Sequence, residues 1–272
     1  MPNNLSIAFI GGGTMAEAIL LGILDKGLAA PGAIAVGEPV SQRRNYLGDR
    51  YGVRTTQDNL QAIKGVQTVI LAVKPQQLEE VLVGLKGKLA PCQTLLSIVA
   101  GAAVDTLSNG LDHLAVIRVM PNTPAQVGQG MSVWTAASDV SNDQKEMTQE
   151  ILNTLGQEIY VSEEKYLDMA TALSASGPAY VFLFLEALID AGVYLGLTRD
   201  VAQTLALQTI QGSVALARES GKHPADLRNM VTSPGGTTAE ALLSLEEEGF
   251  KGIVINAVVA AHEKAITLGE AN

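Results

Sequence analysis

The stretch Leu5-Ser6-Ile7-Ala8-Phe9-Ile10-Gly11-Gly12-Gly13-Thr14-Met15-Ala16 decides the fold of this chain. Its first half is an apolar run that predicts a strand, and Glu17–Leu28 after it has helical periodicity. Between them stands G-x-G-x-x-A, the turn that binds a dinucleotide pyrophosphate when a strand precedes it and a helix follows. A glycine-rich turn without a ligand is the alternative. The residues expected to hold the nucleotide here are Gly11, Gly12, Gly13, Thr14 and Met15.

Strands and helices alternate outward from this stretch. The alternation predicts the α/β class, with an N-terminal Rossmann-type doubly wound parallel sheet whose ligands bind beyond the carboxyl ends of the strands. After Ser162 the pattern becomes helical only. We therefore expect two domains, a dinucleotide-binding domain over residues 1–162 and an all-helical dimerisation and substrate domain over residues 163–272. The further predicted strands are Ala33–Gly37, Arg54–Thr56, Thr68–Val73, Gln93–Val99, Leu114–Met120, Met131–Thr135 and a short strand near Ile159-Tyr160.

Glu38, directly after the second strand, bears on the type of dinucleotide. An acid at this position accepts a hydrogen bond from a ribose 2′-hydroxyl and favours NADH. Arg43 and Arg44 follow shortly and could pair with the 2′-phosphate of NADPH, although a solvated helix face would also explain them. The sequence leaves the choice between NADPH and NADH open.

Three further loops carry candidate chemistry. Val73-Lys74-Pro75 and Pro121-Asn122-Thr123-Pro124 follow strands, so we expect both at the ligand-binding edge of the sheet, with plain turns as the alternative. In the helical half, Pro234-Gly235-Gly236 lets the backbone approach a ligand. Thr237 and Glu240 predict a capping box there. Free N–H groups at such a helix start form a site for a small anion, and a surface turn is the alternative.

The composition excludes several classes of function. The chain is 47% hydrophobic and carries a formal net charge of −10 without a basic run, so we expect neither nucleic acid nor an anionic membrane surface as a partner. Its single cysteine and three histidines show no metal-ligand spacing, so no metal is expected. The start Met1-Pro2-Asn3-Asn4 lacks the positive charge of a signal peptide, and we expect a cytoplasmic protein.

Ala179–Leu197 is apolar nearly all round and long enough to raise the question of a membrane span. It carries Glu186 and Asp190 one helical turn apart, which favours a buried helix in a soluble protein. Ile253–Ala261 is almost as apolar, and a helical domain of this size has little interior to cover both. We therefore expect a homodimer through this domain and no membrane.

Together these motifs resemble the pyrroline-5-carboxylate reductase family over nearly the whole chain. Ala175 is a departure, since the family usually has glycine there, and Glu38 is another, since members that use NADPH often carry a small hydroxyl residue. The motifs that carry the resemblance are Ile10–Ala16, Ala72–Pro75, Met120–Pro124, Thr171–Tyr180 and Val231–Thr238.

The resemblance implies reduction of the cyclic imine 1-pyrroline-5-carboxylate to L-proline by hydride from NADPH or NADH, the last step of proline biosynthesis. It implies a catalytic Thr238 whose hydroxyl hydrogen-bonds the ring nitrogen. It also implies a substrate domain swapped between two subunits, with dimers that can gather into a decamer. The substrate-binding residues it implies are Ser233, Gly235, Gly236, Thr237 and Thr238. The cofactor-binding residues it adds are Asn59 near the adenosine ribose, Ala72, Val73, Lys74 and Pro75 along the nicotinamide ribose, and Asn122 and Thr123 near the nicotinamide.

Two other readings stay open at this point. The β-hydroxyacid dehydrogenases share the fingerprint and a helical second domain but rely on a lysine there, whereas the first basic residue after Ser174–Tyr180 is Arg199. A non-catalytic sensor of dinucleotide redox state is the third reading, and the anion site before Glu240 argues against it. A related cyclic imine as substrate and feedback inhibition by proline also remain open.

Overall fold

The structure, a computed structural model, describes residues 5–270 of the chain, so the expectation about residues 1–4 lies outside the described residues. The described residues form two compact units. One contains the residues up to Ser176 together with those from Ala261 onward, and the other is Gly177–Ala260. The boundary expected at residue 162 follows the last strand, whereas the first compact unit keeps the short helix after that strand. The two-domain division at 162 therefore stays a prediction.

The elements follow each other in the order that the alternation predicts. The strands are β1 (Ile7–Ile10), β2 (Ile34–Gly37), β3 (Arg54–Thr56), β4 (Thr68–Leu71), β5 (Thr94–Ser97), β6 (Val116–Met120), β7 (Gly130–Ala136) and β8 (Gly156–Tyr160). The helices are α1 (Thr14–Asp25), α2 (Ser41–Tyr51), α3 (Asn59–Ala62), α4 (Leu78–Leu85), α5 (Val104–Leu111), α6 (Asn142–Asn153), α7 (Lys165–Ala170), α8 (Gly177–Tyr194), α9 (Arg199–Ser220), α10 (Pro224–Met230), α11 (Thr237–Glu247) and α12 (Phe250–Glu270).

The eight strands form one sheet in the order β3-β2-β1-β4-β5-β6-β7-β8. The order reverses between β1 and β4, which is where a doubly wound sheet binds its ligands. The predicted fold class is confirmed. One strand differs from the expectation of a parallel sheet, because β7 runs antiparallel to β6. A short 3-10 turn at Thr123–Val127 joins these two strands, and so short a connection cannot make the crossover that a parallel pair needs.

Alternate residues of the sheet feed two separate cores. Ile7 and Phe9 of β1 face a core that α1 and α6 complete, while Ala8 and Ile10 face a second core that α4 and α5 complete. All four side chains are fully buried. Because both faces of β1 are covered, the loop after β1 has a rigid base.

The helical unit buries far less. Its α8 has no buried residue, and Phe182 and Leu183 on that helix are more than half exposed. Gly192 of α8 packs closely against α9, since a Cβ added there would stand 2.8 Å from Cβ of Ala202. The other helices of this unit leave the large apolar side chains of α8 uncovered, which agrees with the expectation that a second subunit covers Ala179–Leu197.

One helical segment of the described residues, Lys165–Tyr194, is long and apolar enough to cross a membrane when judged by length and composition alone. An 18-residue window of this segment has a mean hydropathy of 1.6, and 6% of that window is buried in the single chain. A helix that is covered by a second subunit has the same two properties, so the segment is no more than weak support for a membrane span.

Candidate functional site

The turn after β1 is built for close approach of a ligand. Gly11 has a φ of +95°, and a Cβ there would stand 2.6 Å from the carbonyl oxygen of Ala72, so only glycine fits. A Cβ at Gly13 would meet no atom within 4 Å. Gly13 is also the N-cap of α1 and offers no capping side chain. The first N–H groups of α1, those of Thr14 and Met15 among them, therefore face a space that an anion can enter.

Glu38 stands at the end of β2 with its side chain fixed. The residue is only 9% exposed. Its Oε2 accepts a hydrogen bond from the Gly12 backbone N–H, and its Oε1 accepts one from the Val40 N–H, both at 2.9 Å. The carboxylate therefore ties the end of β2 to the glycine turn, a contact that the sequence did not indicate.

Arg43 and Arg44, both on α2, already have partners. The Nε of Arg43 donates to the Gly12 carbonyl at 2.6 Å, and its Nη2 pairs with Glu17 at 2.5 Å. The Nη1 of Arg44 donates to the carbonyls of Glu38 and Pro39 at 2.7 Å each. Neither guanidinium lies on a merely solvated helix face, and both brace the loops around the fingerprint.

Glu17 connects α1 to α2 through a small polar cluster. Its carboxylate accepts hydrogen bonds from Tyr46 and Tyr51 besides its pair with Arg43. Burial by itself raises the pKa of Glu17, but the bonds from Tyr51, Arg43 and Tyr46 outweigh it and hold the pKa below the ordinary value of 4.5. Burial and the bond to Glu17 also raise the pKa of the Tyr51 phenol. Glu17 is thus kept as an anion that holds Arg43 in place.

A cavity of about 400 Å³ opens at the carboxyl ends of β1, β2 and β4, beside the point where the strand order reverses. Its floor depends on Gly37, because a Cβ there would stand 2.5 Å from Oδ1 of Asn59. The expected site residues that line it are Gly11, Gly12, Gly13, Glu38, Asn59, Ala72, Val73 and Lys74. Lining residues that the sequence reasoning missed are Ile10, Gly37, Pro39, Val40, Gln57, Gln77, Glu80 and Val81.

The other expected cofactor residues are not part of the lining of this cavity. Thr14 and Met15 begin α1, and Pro75 begins the 3-10 turn that leads into α4. Asn122 follows β6, where its Oδ1 accepts from the Met131 N–H at 2.8 Å and its Nδ2 donates to the Ser174 carbonyl at 3.2 Å. Thr123 starts the short turn after it. The loops after β1, β2 and β4 therefore line one cavity. Asn122 instead fixes the conformation of the loop after β6.

The loop before α11 is described within the helical unit. Gly235 has a φ of +68°, and a Cβ at Gly236 would stand 2.5 Å from Oγ of Ser233. Gly236 has an extended backbone and is the N-cap, so Thr237 is already the first helical residue. The predicted capping box of Thr237 with Glu240 is wrong for this reason. Because no side chain caps α11, its first N–H groups and the half-buried Thr238 are available to a ligand.

Arg118 on β6 carries a buried ion cluster that the sequence reasoning missed. Its side chain is 4% exposed, and its Nη1 and Nη2 pair with Glu164 at 2.7 Å and Asp168 at 3.0 Å. Glu164 also accepts from the Val104 N–H at the start of α5. Within the described residues, the Nε of Arg118 has no hydrogen-bond partner. The signal in the sequence is an arginine inside the otherwise apolar strand Val116–Met120.

The sheet, its glycine turn and the cavity at the switch point define a dinucleotide-dependent oxidoreductase. Comparison with known proteins agrees: residues 6–101 match the family described as NADP oxidoreductase coenzyme F420-dependent. Residues 164–268 match pyrroline-5-carboxylate reductase dimerisation. The chain is 43% identical to pyrroline-5-carboxylate reductase of Synechocystis sp. over 98% of this chain and 99% of that protein. The chain belongs to the pyrroline-5-carboxylate reductase family.

Solved structures extend the likeness to the fold. The pyrroline-5-carboxylate reductase of Coxiella burnetii has a TM-score of 0.87 and 36% identity, covering 98% of this chain and 99% of that one. The pyrroline carboxylate reductase of Plasmodium falciparum, solved with NADP bound, has a TM-score of 0.90 and 34% identity, covering 99% of this chain and 100% of that one. No group of three or more His, Cys, Asp or Glu side chains in residues 5–270 could hold a metal ion.

Proposed function

We propose that this chain reduces 1-pyrroline-5-carboxylate to L-proline with NADPH or NADH. The observation that carries the proposal is full-length membership of the family, in a chain that keeps both the open turn at Gly13 and the uncapped start of α11. A non-catalytic sensor would have no use for an anion site at the start of α11, and a β-hydroxyacid dehydrogenase would need a lysine after Ser174–Tyr180, where the first basic residue is Arg199.

The residues around the 400 Å³ cavity fit a dinucleotide. The open space above Gly13 and the uncapped N–H groups of α1 suit a pyrophosphate. When bound, the dinucleotide supplies a hydride that the imine carbon accepts while a proton resides on the ring nitrogen. We assign the pyrophosphate to residues 11–15 and the adenosine ribose to Glu38 and Asn59. We assign the nicotinamide end to Ala72, Val73, Lys74, Pro75, Asn122 and Thr123.

The start of α11 supplies the substrate site of the proposal. Backbone N–H groups of Thr237 and Thr238 suit the substrate carboxylate, because an uncapped helix start carries partial positive charge. Ser233 and Gly235 shape the loop that leads to them. We assign the Thr238 hydroxyl to the ring nitrogen, where one positioned hydrogen bond orients the imine. A protonated imine accepts hydride readily, so no separate acid–base dyad is required.

Assembly and location complete the proposal. The dimerisation match over residues 164–268 supports a homo-oligomer, and the exposed apolar residues of α8 give it a physical basis. We propose that copies of the chain pair through the helical unit and that dimers can gather further into a decamer. We also propose a cytoplasmic enzyme whose apolar helices contact protein rather than membrane.

The test is an assay of the purified protein with pyrroline-5-carboxylate and each reduced dinucleotide in turn. The proposal expects loss of reduced nicotinamide absorbance together with one proline formed per dinucleotide oxidised. A related cyclic imine with a six-membered ring serves as the comparison substrate. No proline with either dinucleotide would remove the proposed activity, and faster turnover of the larger ring would replace its substrate.

A further inference from the structure

The Glu38 carboxylate is a fixed part of the cavity wall. Both of its oxygens accept backbone N–H groups, from Gly12 and from Val40, so the side chain cannot swing out of the cavity without breaking two bonds. It stands beside Asn59, whose Oδ1 lies close to Gly37. A ligand that reaches the end of β2 therefore lies against a buried negative charge.

The chemistry of this wall favours hydroxyl groups over a phosphate. Each carboxylate oxygen has more than one lone pair, so Glu38 can accept ribose hydroxyl donors in addition to its two backbone bonds. A 2′-phosphate has no comparable donor and carries about two negative charges. Placing it against Glu38 brings two anions together in a poorly solvated place, and the repulsion between like charges disfavours that arrangement.

The two arginines that could offset this repulsion are engaged elsewhere. Arg43 donates to the Gly12 carbonyl and pairs with the anionic Glu17, and Arg44 donates to the carbonyls of Glu38 and Pro39. The Glu17 carboxylate already balances the charge of Arg43, and two carbonyl bonds hold the Arg44 guanidinium against the loop that carries Glu38. Their present bonds stabilise the turn that keeps Glu38 facing the cavity.

We propose that this chain selects NADH over NADPH, with Glu38 as the specificity-determining residue and the Glu17–Arg43 pair as the contact that withholds a phosphate ligand. The proposal rests on the proposed function only for the dinucleotide as ligand. It does not depend on which imine is reduced.

The experiment measures the Kd of NADH and of NADPH for the intact protein by nicotinamide fluorescence, without any imine present. Wild-type protein should bind NADH at least about tenfold more tightly than NADPH. Glu38→Ser and Glu38→Gln should each reduce that preference by about tenfold or more, because both remove the negative charge. Glu38→Gln keeps the size of the side chain and one acceptor oxygen, so it serves if the serine variant fails to fold.

Glu79→Gln is the matched control, because Glu79 is an exposed carboxylate on α4 that does not line this cavity. Salt screens an exposed charge, so this change should alter the NADH preference by less than about twofold. Equal or tighter wild-type binding of NADPH overturns the proposal. An unchanged preference in both Glu38 variants also overturns it, as does a change of preference in Glu79→Gln as large as theirs. Because binding is measured without substrate, a protein that selects NADH yet reduces no pyrroline-5-carboxylate would contradict only the proposed function.

Discussion

The sheet unit and the helical unit treat their apolar residues in opposite ways. In the sheet unit, every residue of β1, β4 and β6 is buried. In Gly177–Ala260 the buried apolar side chains are two alanines of α9, Ala202 and Ala206. The sheet unit closes its cores within one chain, whereas the helical unit leaves its interior open. The same composition of aliphatic residues thus serves folding in one unit and association in the other.

The largest expected effect comes from charging the open face of the helical unit. Leu183 on α8 is 69% exposed, and Leu183→Asp should convert the oligomer into a species of 28.4 kDa with little activity, since a buried unpaired charge at an interface is prohibitive. Light scattering after size exclusion measures the mass. Val83→Asp is the matched control, because Val83 is 74% exposed on α4 of the sheet unit and the same change should leave the mass unaltered. A Leu183→Asp variant that keeps the wild-type mass would contradict the assignment of this face to association.

The next effect separates ligand binding from folding in the sheet unit. Gly13→Val should weaken dinucleotide binding by more than about 100-fold while the protein stays folded, because its side chain fills the space where a phosphate would approach. Gly11→Ala should instead destabilise the unit by roughly 1–3 kcal/mol, since φ is positive and a Cβ contacts the Ala72 carbonyl. Fluorescence titration and urea unfolding distinguish the two. If Gly13→Val also unfolds, the turn is a packing feature and not a ligand site.

A smaller effect is expected in the helical unit at Thr238. Thr238→Ala should lower the rate of imine reduction by roughly 10- to 1,000-fold, the range of a single positioned hydrogen-bonding group. Thr238→Ser keeps the hydroxyl and should recover most of the rate. Steady-state kinetics with saturating dinucleotide measures both. An alanine variant as fast as the serine variant would remove the hydroxyl from the reaction while leaving the oligomer in place.

The smallest expected effect concerns the Glu17 carboxylate, which connects α1 to α2 in the sheet unit. Because Glu17 has a lowered pKa, its contribution to the free energy of unfolding is fully present above pH 4.5 and is lost as pH falls through the lowered value. Glu17→Gln should therefore be less stable than wild type by under about 1 kcal/mol at neutral pH, with the difference vanishing in acid. Urea unfolding at a series of pH values checks this. A difference that does not change with pH would mean that Glu17 acts through packing alone.

The sheet was predictable from the sequence because apolar strands and amphipathic helices alternate with distinct periods. The direction of β7 was not, since strand direction depends on whether a turn or a crossover joins the pair. The position of Glu38 after β2 was predicted, but its two hydrogen bonds were not. Gly12 is far from Glu38 in sequence, and the bond to the Val40 N–H depends on the local backbone conformation. The capping box failed for a similar reason: the extended backbone of Gly236 moves the helix start by one residue.

Side-chain partners across long sequence separations limited the prediction further. Arg118 meets Glu164 and Asp168 only after β6 and α7 are brought together, and no local pattern marks that pairing. The small interior of the helical domain predicted that it cannot cover all its apolar helices, but hydrophobic periodicity does not show which surface covers α8. The assignments of individual residues to substrate and cofactor remain predictions.

The open face of α8 has a consequence for the life of the protein in the cell. A single copy carries Phe182 and Leu183 uncovered, and exposed apolar surface of this kind is what chaperones and proteases act on. By mass action, assembly removes the vulnerable form more completely as expression rises. A higher rate of synthesis would then raise both the number of subunits made and the fraction that escapes degradation. The abundance of the enzyme would therefore rise more steeply than its rate of translation.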